Sequence, residues 1–213
     1  MTETVAQAAE LATTAPKMIS PDTFAQVLPA HIPPEKYTRW ALTLMRDPKM
    51  IEVARTEPGR LSIVTALMDC ASLGLEPGRT YHLVPFGGQV EGIRDYKGEI
   101  ELIWRAVQRP VIASLVYSRD TFAMTGANNP PTHEGDWFAE EGRGEVVGGY
   151  AYVDYGQQLY SMVVRMTEAD FLKHRAKAKT KNVWDEWPEA MRLKTLVHQL
   201  QRWVPWSAEV RQP

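Results

Sequence analysis

The stretch Tyr81-His82-Leu83-Val84-Pro85-Phe86-Gly87-Gly88-Gln89-Val90-Glu91-Gly92-Ile93-Arg94 decides the fold class. Two runs of strand-forming residues flank a Gly-Gly pair, and glycine reaches the positive φ angles that a two-residue hairpin turn demands. The segment predicts an antiparallel hairpin. Upstream the hydrophobic period changes. Tyr37, Trp40, Ala41, Leu44 and Met45 fall at i, i+3, i+4, i+7 and i+8, an amphipathic helix that follows Pro33-Pro34 and must stop before Pro48. A second short helix is expected after it. From Pro58 to Leu73 the apolar residues cover most of the circumference, which predicts a largely buried helix stopped by Gly74.

Downstream of the hairpin, Gly98 to Val107 reads as a helix with Ile100, Ile103, Trp104 and Val107 on one side, and Val111 to Tyr117 as a strand. The Gly/Pro/Asn-rich stretch Gly126 to Gly144 is too long for a plain connection and is expected to be an insertion or a binding loop. Strands follow at Val146 to Tyr155 and Gln158 to Arg165, joined by Tyr155-Gly156-Gln157. Helix then returns, with Thr167 as N-cap, Glu168 and Asp170 in the first turn, and a second start at Pro188-Glu189. The last helix presents Ala190, Leu193, Val197, Leu200 and Val204 on one face and Lys194, His198 and Arg202 on another. Helical N- and C-terminal regions around antiparallel β-hairpins and sheet make an α+β fold. Residues 1–20 are expected to be a flexible tail, 21–207 a single α+β domain, and 208–213 a short C-terminal tail.

Composition removes several function classes. The chain has 213 residues, 44% of them hydrophobic, and no apolar run approaches the roughly 18 residues of a membrane span. Met1 to Ser20 lacks the basic start and apolar stretch of a signal peptide, so a cytoplasmic location is expected, the bacterial host cytoplasm if a phage encodes it. Cys70 is the single cysteine and CxxC, CxxH and HExxH spacings are missing, which leaves a zinc site unsupported. GxxxxGK[ST] is missing too, as are GxSxG and a GxGxxG that follows a strand, so neither a nucleotide-driven motor nor a hydrolase is indicated. His133-Glu134-x-Asp136 with Glu140, Glu141 and Glu145 reads as a solvated acidic loop rather than a metal site. Asp95-x-Lys97 matches the tail of a metal-dependent nuclease motif only superficially, because the usual residue there is Glu. No catalytic residue and no metal ligand is assigned.

Charge is unevenly spread. The net −2 divides into 15 Lys+Arg against 20 Asp+Glu over residues 1 to 165 and 9 against 6 over 166 to 213. Phe171 to Val183 carries five bases and no acid. A local basic run on a mildly acidic protein is the footprint of a confined groove for a polyanion, although a solvated face is the plain alternative. Three places offer phosphate contacts. Arg94, Tyr96 and Lys97 end the hairpin and open a helix, where Lys97 and the free N–H groups of the first turn could jointly hold a phosphate. The plain alternative is a turn lysine facing water with Tyr96 in the core. Lys173, Arg175, Lys177, Lys179 and Lys181 recur every second residue and align only in extended chain, so the helix is expected to fray near Ala176. Lys194, His198 and Arg202 could form a rigid groove wall. Trp184, Trp187, Trp203 and Trp206 flank these bases and are expected to be mostly core or interface anchors.

The residues then carry a resemblance. Ala71-Ser72-Leu73-Gly74-Leu75-Glu76-Pro77, Tyr81 to Gly87, Asp95-Tyr96-Lys97-Gly98, Val116-Tyr117, and Met191-Arg192-Leu193-Lys194-Thr195 through Trp203-Val204-Pro205, in this order, resemble the phage RecT family of single-strand annealing proteins. Asp95 stands where that family usually has Gly, and Leu193 where a second lysine is frequent. The resemblance implies an ATP-independent protein that binds single-stranded DNA through its backbone, pairs it with a complementary strand through an annealed duplex intermediate, and assembles as a homo-oligomer into rings or filaments. It implies no required cofactor, with Mg²⁺ entering only as an aid to DNA binding or assembly. A host single-strand binding protein or a phage exonuclease is the further partner it suggests. A metal-dependent nuclease and a DNA-binding scaffold that does not anneal stay open beside it.

Overall fold

Proline opens the helices of the N-terminal half. The computed structural model describes residues 18–178 and 182–209. Helices α1 (Pro21–Ala25), α2 (Pro34–Leu44), α3 (Pro48–Val53) and α4 (Glu57–Ser72) each carry Pro in their first two positions, where the missing N–H costs no helical hydrogen bond. Ser20, Asp47 and Thr56 cap three of them, with Asp47 Oδ1 accepting from the Lys49 N–H at 2.8 Å. Residues 1–17 of the expected N-terminal tail and 210–213 of the C-terminal one lie outside the described residues. Ile19 is already buried.

The described residues fall into two compact units, one of residues 18–98 with 207–209 and one within residues 99–206. In the first, α1 to α4 enclose a core of Phe24, Tyr37, Ala41, Leu67, Cys70 and Leu75. Phe24 meets Tyr37 edge-on at 4.8 Å, and the Tyr37 hydroxyl donates to the Leu67 carbonyl at 2.7 Å, so the ring's polar end is satisfied inside. Helix α4 is less buried than its composition predicts. Leu61 is exposed while Ile63, Ala66, Leu67, Cys70 and Ala71 face inward, because only one side of the helix meets the core. Strands β1 (Tyr81–Phe86) and β2 (Gln89–Arg94) pair as predicted, with Gly87 and Gly88 both at positive φ. The Val90 N–H donates to Ser62 Oγ at 2.9 Å and fixes the hairpin on α4.

Helix α5 (Tyr96–Val107) begins two residues earlier than its apolar pattern suggests. Asp95 explains the early start, since its carboxylate accepts from the Lys97 N–H at 2.9 Å and so caps the helix. Gly98 then sits so close to the hairpin that a Cβ there would lie 2.4 Å from the Thr80 carbonyl oxygen. The buried side chains on α5 are Glu99, Leu102, Ile103, Arg105 and Ala106, and Trp104, expected on the apolar side, is exposed.

In the second unit, the 11-residue strand β6 (Val146–Gly156) is central. It pairs antiparallel with β3 (Val111–Tyr117) on one side and with β7 (Leu159–Tyr160) and β8 (Val164–Thr167) on the other. The single strand expected over Gln158 to Arg165 is thus two strands. Between them Ser161 continues the ladder with its own N–H and hydroxyl, which meet the Val153 carbonyl and N–H at 2.9 and 2.8 Å. Helices α6 (Glu168–Lys177), α7 (Asn182–Glu186) and α8 (Pro188–Leu200) complete the unit, and α7 has no counterpart in the sequence reading. Thr167 caps α6 in a capping box with Asp170, as its position predicts. Ile103, Leu115, Ala151, Val153, Phe171 and Leu196 form the core.

The long loop is an organised insertion. It supplies β5 (Thr132–Glu134), which pairs antiparallel with β4 (Thr121–Ala123) just ahead of it. The buried Asp120 carboxylate accepts two hydrogen bonds from Arg143, at 2.8 and 2.6 Å, one from the Tyr117 N–H at 2.8 Å, and pairs with His133 Nε2 at 2.9 Å. Arg143 also stacks between the Tyr117 and Trp137 rings, 4.3 and 4.1 Å from their centroids. Burial works to raise the Asp120 carboxyl's pKa, but the hydrogen bonds from Arg143, His133 and Tyr117 outweigh it and hold the group well below the usual carboxylate range.

Two consequences are testable. Gly98→Ala should destabilise the protein by about 1 to 3 kcal/mol despite alanine's better helix propensity, because backbone must move to admit the methyl; the midpoint of denaturant unfolding measures it. Asp120 has a lowered folded pKa, so its contribution is complete well above the ordinary aspartate value of about 3.9 and is lost as pH falls through that value and below. Asp120→Asn should therefore lower thermal stability at pH 7 and flatten its decline between about pH 5 and 3, as followed by circular dichroism melts.

Candidate nucleic-acid interface

Each unit carries part of the candidate set. In the first, Asp95 arranges the end of the hairpin. Its N–H donates to the Thr80 carbonyl at 3.0 Å, its Oδ1 accepts from Lys97 N, and its Oδ2 lies 3.3 Å from His82 Nε2. The negative charge that a helix N-terminus favours is thus supplied by the chain itself. One of the free N–H groups expected to help Lys97 hold a phosphate is already engaged. Lys97 itself points to solvent, Tyr96 is half-buried rather than a core residue, and Arg94 is half-buried at the end of β2. Lys97 is therefore presented on a rigid turn as a point charge.

In the second unit, α8 lies against the sheet with Thr195, Leu196, Val197 and Leu200 inward. Its approach depends on Gly149, where a Cβ would stand 2.8 Å from Leu196 Cδ1 and 2.9 Å from the Ser114 carbonyl oxygen. Lys194 and His198, one turn apart, fall at the margin of that buried face and are half-exposed. Ala190, expected in the apolar stripe, is exposed in the first turn. Arg202 lies in the 3₁₀ turn Gln201–Trp203, where three residues per turn take it off the i, i+4, i+8 line expected from α-helical spacing. It is exposed.

His198 does more than line a wall. Its Nδ1 is 2.6 Å from Oε1 of Glu99, whose side chain is 2% exposed. A buried carboxylate is costly unless paired, so His198 has a structural task that a surface stripe does not suggest. The sequence held no signal for this pair, since the two residues are 99 positions apart.

The basic run also changes character in three dimensions. Lys173 and Arg175 both lie on α6, which runs to Lys177, so the alternate bases fan around an axis. Lys173 pairs with Asp170 at 3.1 Å and Arg175 pairs with Asp185 on α7. Lys177 closes the helix, where a cation suits the C-terminal dipole. Lys179 and Lys181 lie outside the described residues. Arg192, which the sequence reading did not single out, makes a bidentate pair with Glu168 at 2.8 and 2.5 Å and joins α8 to the start of α6. Of the flanking tryptophans Trp184 is buried in the core, while Trp187, Trp203 and Trp206 are exposed at 61, 57 and 47%, so they are not core anchors of this chain. Among the described residues no group of three or more His, Cys, Asp and Glu is placed to hold a metal ion, and no helix is long and apolar enough to cross a membrane.

Comparison with known proteins agrees with the motif order. The chain is 29% identical over 203 residues to Protein RecT of Escherichia coli strain K12, an alignment that covers 88% of this chain and 72% of that protein. The RecT family itself matches residues 39–212, a span that holds the hairpin, the capped start of α5, the whole second unit and the helix with Lys194. The chain belongs to the RecT family.

Proposed function

We propose that the protein binds single-stranded DNA through its phosphate backbone and anneals it to a complementary strand without nucleotide hydrolysis, acting as an oligomeric ring or filament in homologous recombination. The observation that carries this reading is the family match across residues 39–212, because it embraces every motif from which the resemblance was drawn. The site geometry supports it. Lys97, Lys194 and Arg202 are solvent-accessible cations on rigid elements, with Lys177 at the end of α6, and such side chains hold phosphates without regard to base sequence. Lys173 and Arg175 hold intramolecular partners and contribute less to phosphate binding than their number suggests.

Annealing needs no external energy source once repulsion between strands is screened, since base pairing supplies the driving force. The reading requires no cofactor, with Mg²⁺ as an aid to binding or assembly. Repetition along a strand raises the weak grip of one net-acidic subunit through avidity.

Annealing of two complementary labelled oligonucleotides without ATP should be faster with the protein than without it, and the strands should stay intact in Mg²⁺. Tight binding without acceleration would identify a scaffold, and shortened strands a nuclease. Lys194→Ala with Arg202→Ala should weaken binding and reduce the slope of log affinity against log salt by roughly 0.7 for each phosphate the variant no longer neutralises. An unchanged slope would remove those two residues from the groove.

A further inference from the structure

The outer face of the second unit's sheet carries none of the candidate groove residues, yet its chemistry is distinctive. Alternation along β6 turns Ala151 and Val153 into the core and puts Tyr150, Tyr152 and Asp154 on the opposite face. Directly paired residues share a face, so Arg165 of β8, opposite Tyr150, and Tyr160 of β7, opposite Asp154, lie there too. Phe122 of β4 extends the row.

These rings form a continuous ladder. Phe122 and Tyr150 stack with centroids 5.7 Å apart, Tyr150 and Tyr152 at 6.2 Å with planes 17° apart, and Tyr152 meets Tyr160 edge-on at 6.0 Å. Tyr150 is the buried floor, its hydroxyl 3.0 Å from His133 Nδ1, which the Asp120 network holds in turn. Tyr152 and Tyr160 are half-buried, and Phe122 and Arg165 are exposed. Asp154, the acid on this face, directs Oδ1 at the Gly156 N–H, 2.7 Å away in the adjoining turn.

We propose that this face is a stacking platform for unpaired nucleobases of a DNA strand, with Tyr152 and Tyr160 as stacking surfaces and Arg165 on the neighbouring phosphate. The inference rests on the single-stranded DNA reading above and deepens it. Every base has a π-face, so stacking on aromatic side chains tolerates any sequence, as annealing of arbitrary strands requires. The floor is preorganised: Tyr150 is fixed by its hydrogen bond with His133 and Tyr152 by contact with two rings, so little side-chain freedom remains to be lost on binding. The exposed guanidinium opposite Tyr150 supplies the charge complementary to the strand. A peptide from another copy would find the same rings, and the test separates that occupant.

The experiment uses the full chain and fluorescein-labelled oligothymidine and mixed-sequence strands over a salt series, with assembled mass followed by light scattering. Tyr152→Leu with Tyr160→Leu should weaken binding by roughly five- to a hundredfold while leaving the salt slope unchanged, because stacking releases no counterions. Tyr152→Phe with Tyr160→Phe keeps the rings and should bind within about twofold of the wild type. Arg165→Ala should lower the slope by about 0.7. Independently of any variant, ultraviolet cross-linking of the wild type to 5-iodouracil-substituted strands should label the peptide that contains Tyr152 and Tyr160. Wild-type affinity in the leucine pair, a weakening explained by altered assembly alone, or cross-links confined to other peptides would overturn the platform. Failure of the wild type to bind single strands at all would instead sink the DNA reading itself.

Discussion

Leu196 rests on the bare backbone of Gly149, and much of the second unit depends on that contact. With no Cβ in the way, α8 sits directly on β6 and β3, and its buried face closes the core with Val153, Leu115 and Phe171. Once the helix is seated, its rotation is fixed, and with it the positions of the polar residues one step round. Lys194 and His198 lie at the margin of the buried face because Leu196, Val197 and Leu200 occupy its centre. A packing constraint thus decides which cations the helix can offer.

Charge inside the second unit follows a consistent logic. Glu99 is buried and is met by His198, while Asp120 is buried and receives Arg143, His133 and a backbone N–H. Each of these acids joins segments far apart in the chain, where a hydrophobic contact would define position less sharply. Asp120 does this for the long loop, holding Gly/Pro/Asn-rich chain against the end of β3. Asp95 does it at smaller scale, joining hairpin and helix at the edge of the first unit. Part of the basic inventory is spent on such structural pairing, so the number of lysines and arginines in a segment overstates what a polyanion can reach.

The proposed phosphate contacts and the proposed platform ask different things of a strand. Exposed cations such as Lys97 and Arg202 act through phosphates and weaken with salt, whereas Tyr152 and Tyr160 act through base faces and respond little to it. A protein that must hold a strand without choosing its sequence gains from both, since neither interaction reads the pattern of donors and acceptors on the base edges.

The hairpin at Gly87-Gly88, the prolines at the helix starts and the Thr167 cap were legible in the sequence because each is a local event. A turn needs positive φ, a first turn tolerates Pro, and a cap reaches three residues along. Family membership was legible for a related reason, as motif order survives without knowledge of contacts. What only the tertiary structure decided are the long-range pairings. Glu99 meets His198 across 99 positions, Arg143 finds Asp120, Ser161 splits one predicted strand into two, and Trp104 faces outward although its helical spacing places it on the apolar side. Periodicity fixes which residues share a face of an element. Whether that face meets protein or water is set by what packs against it, and nothing local in the chain encodes that.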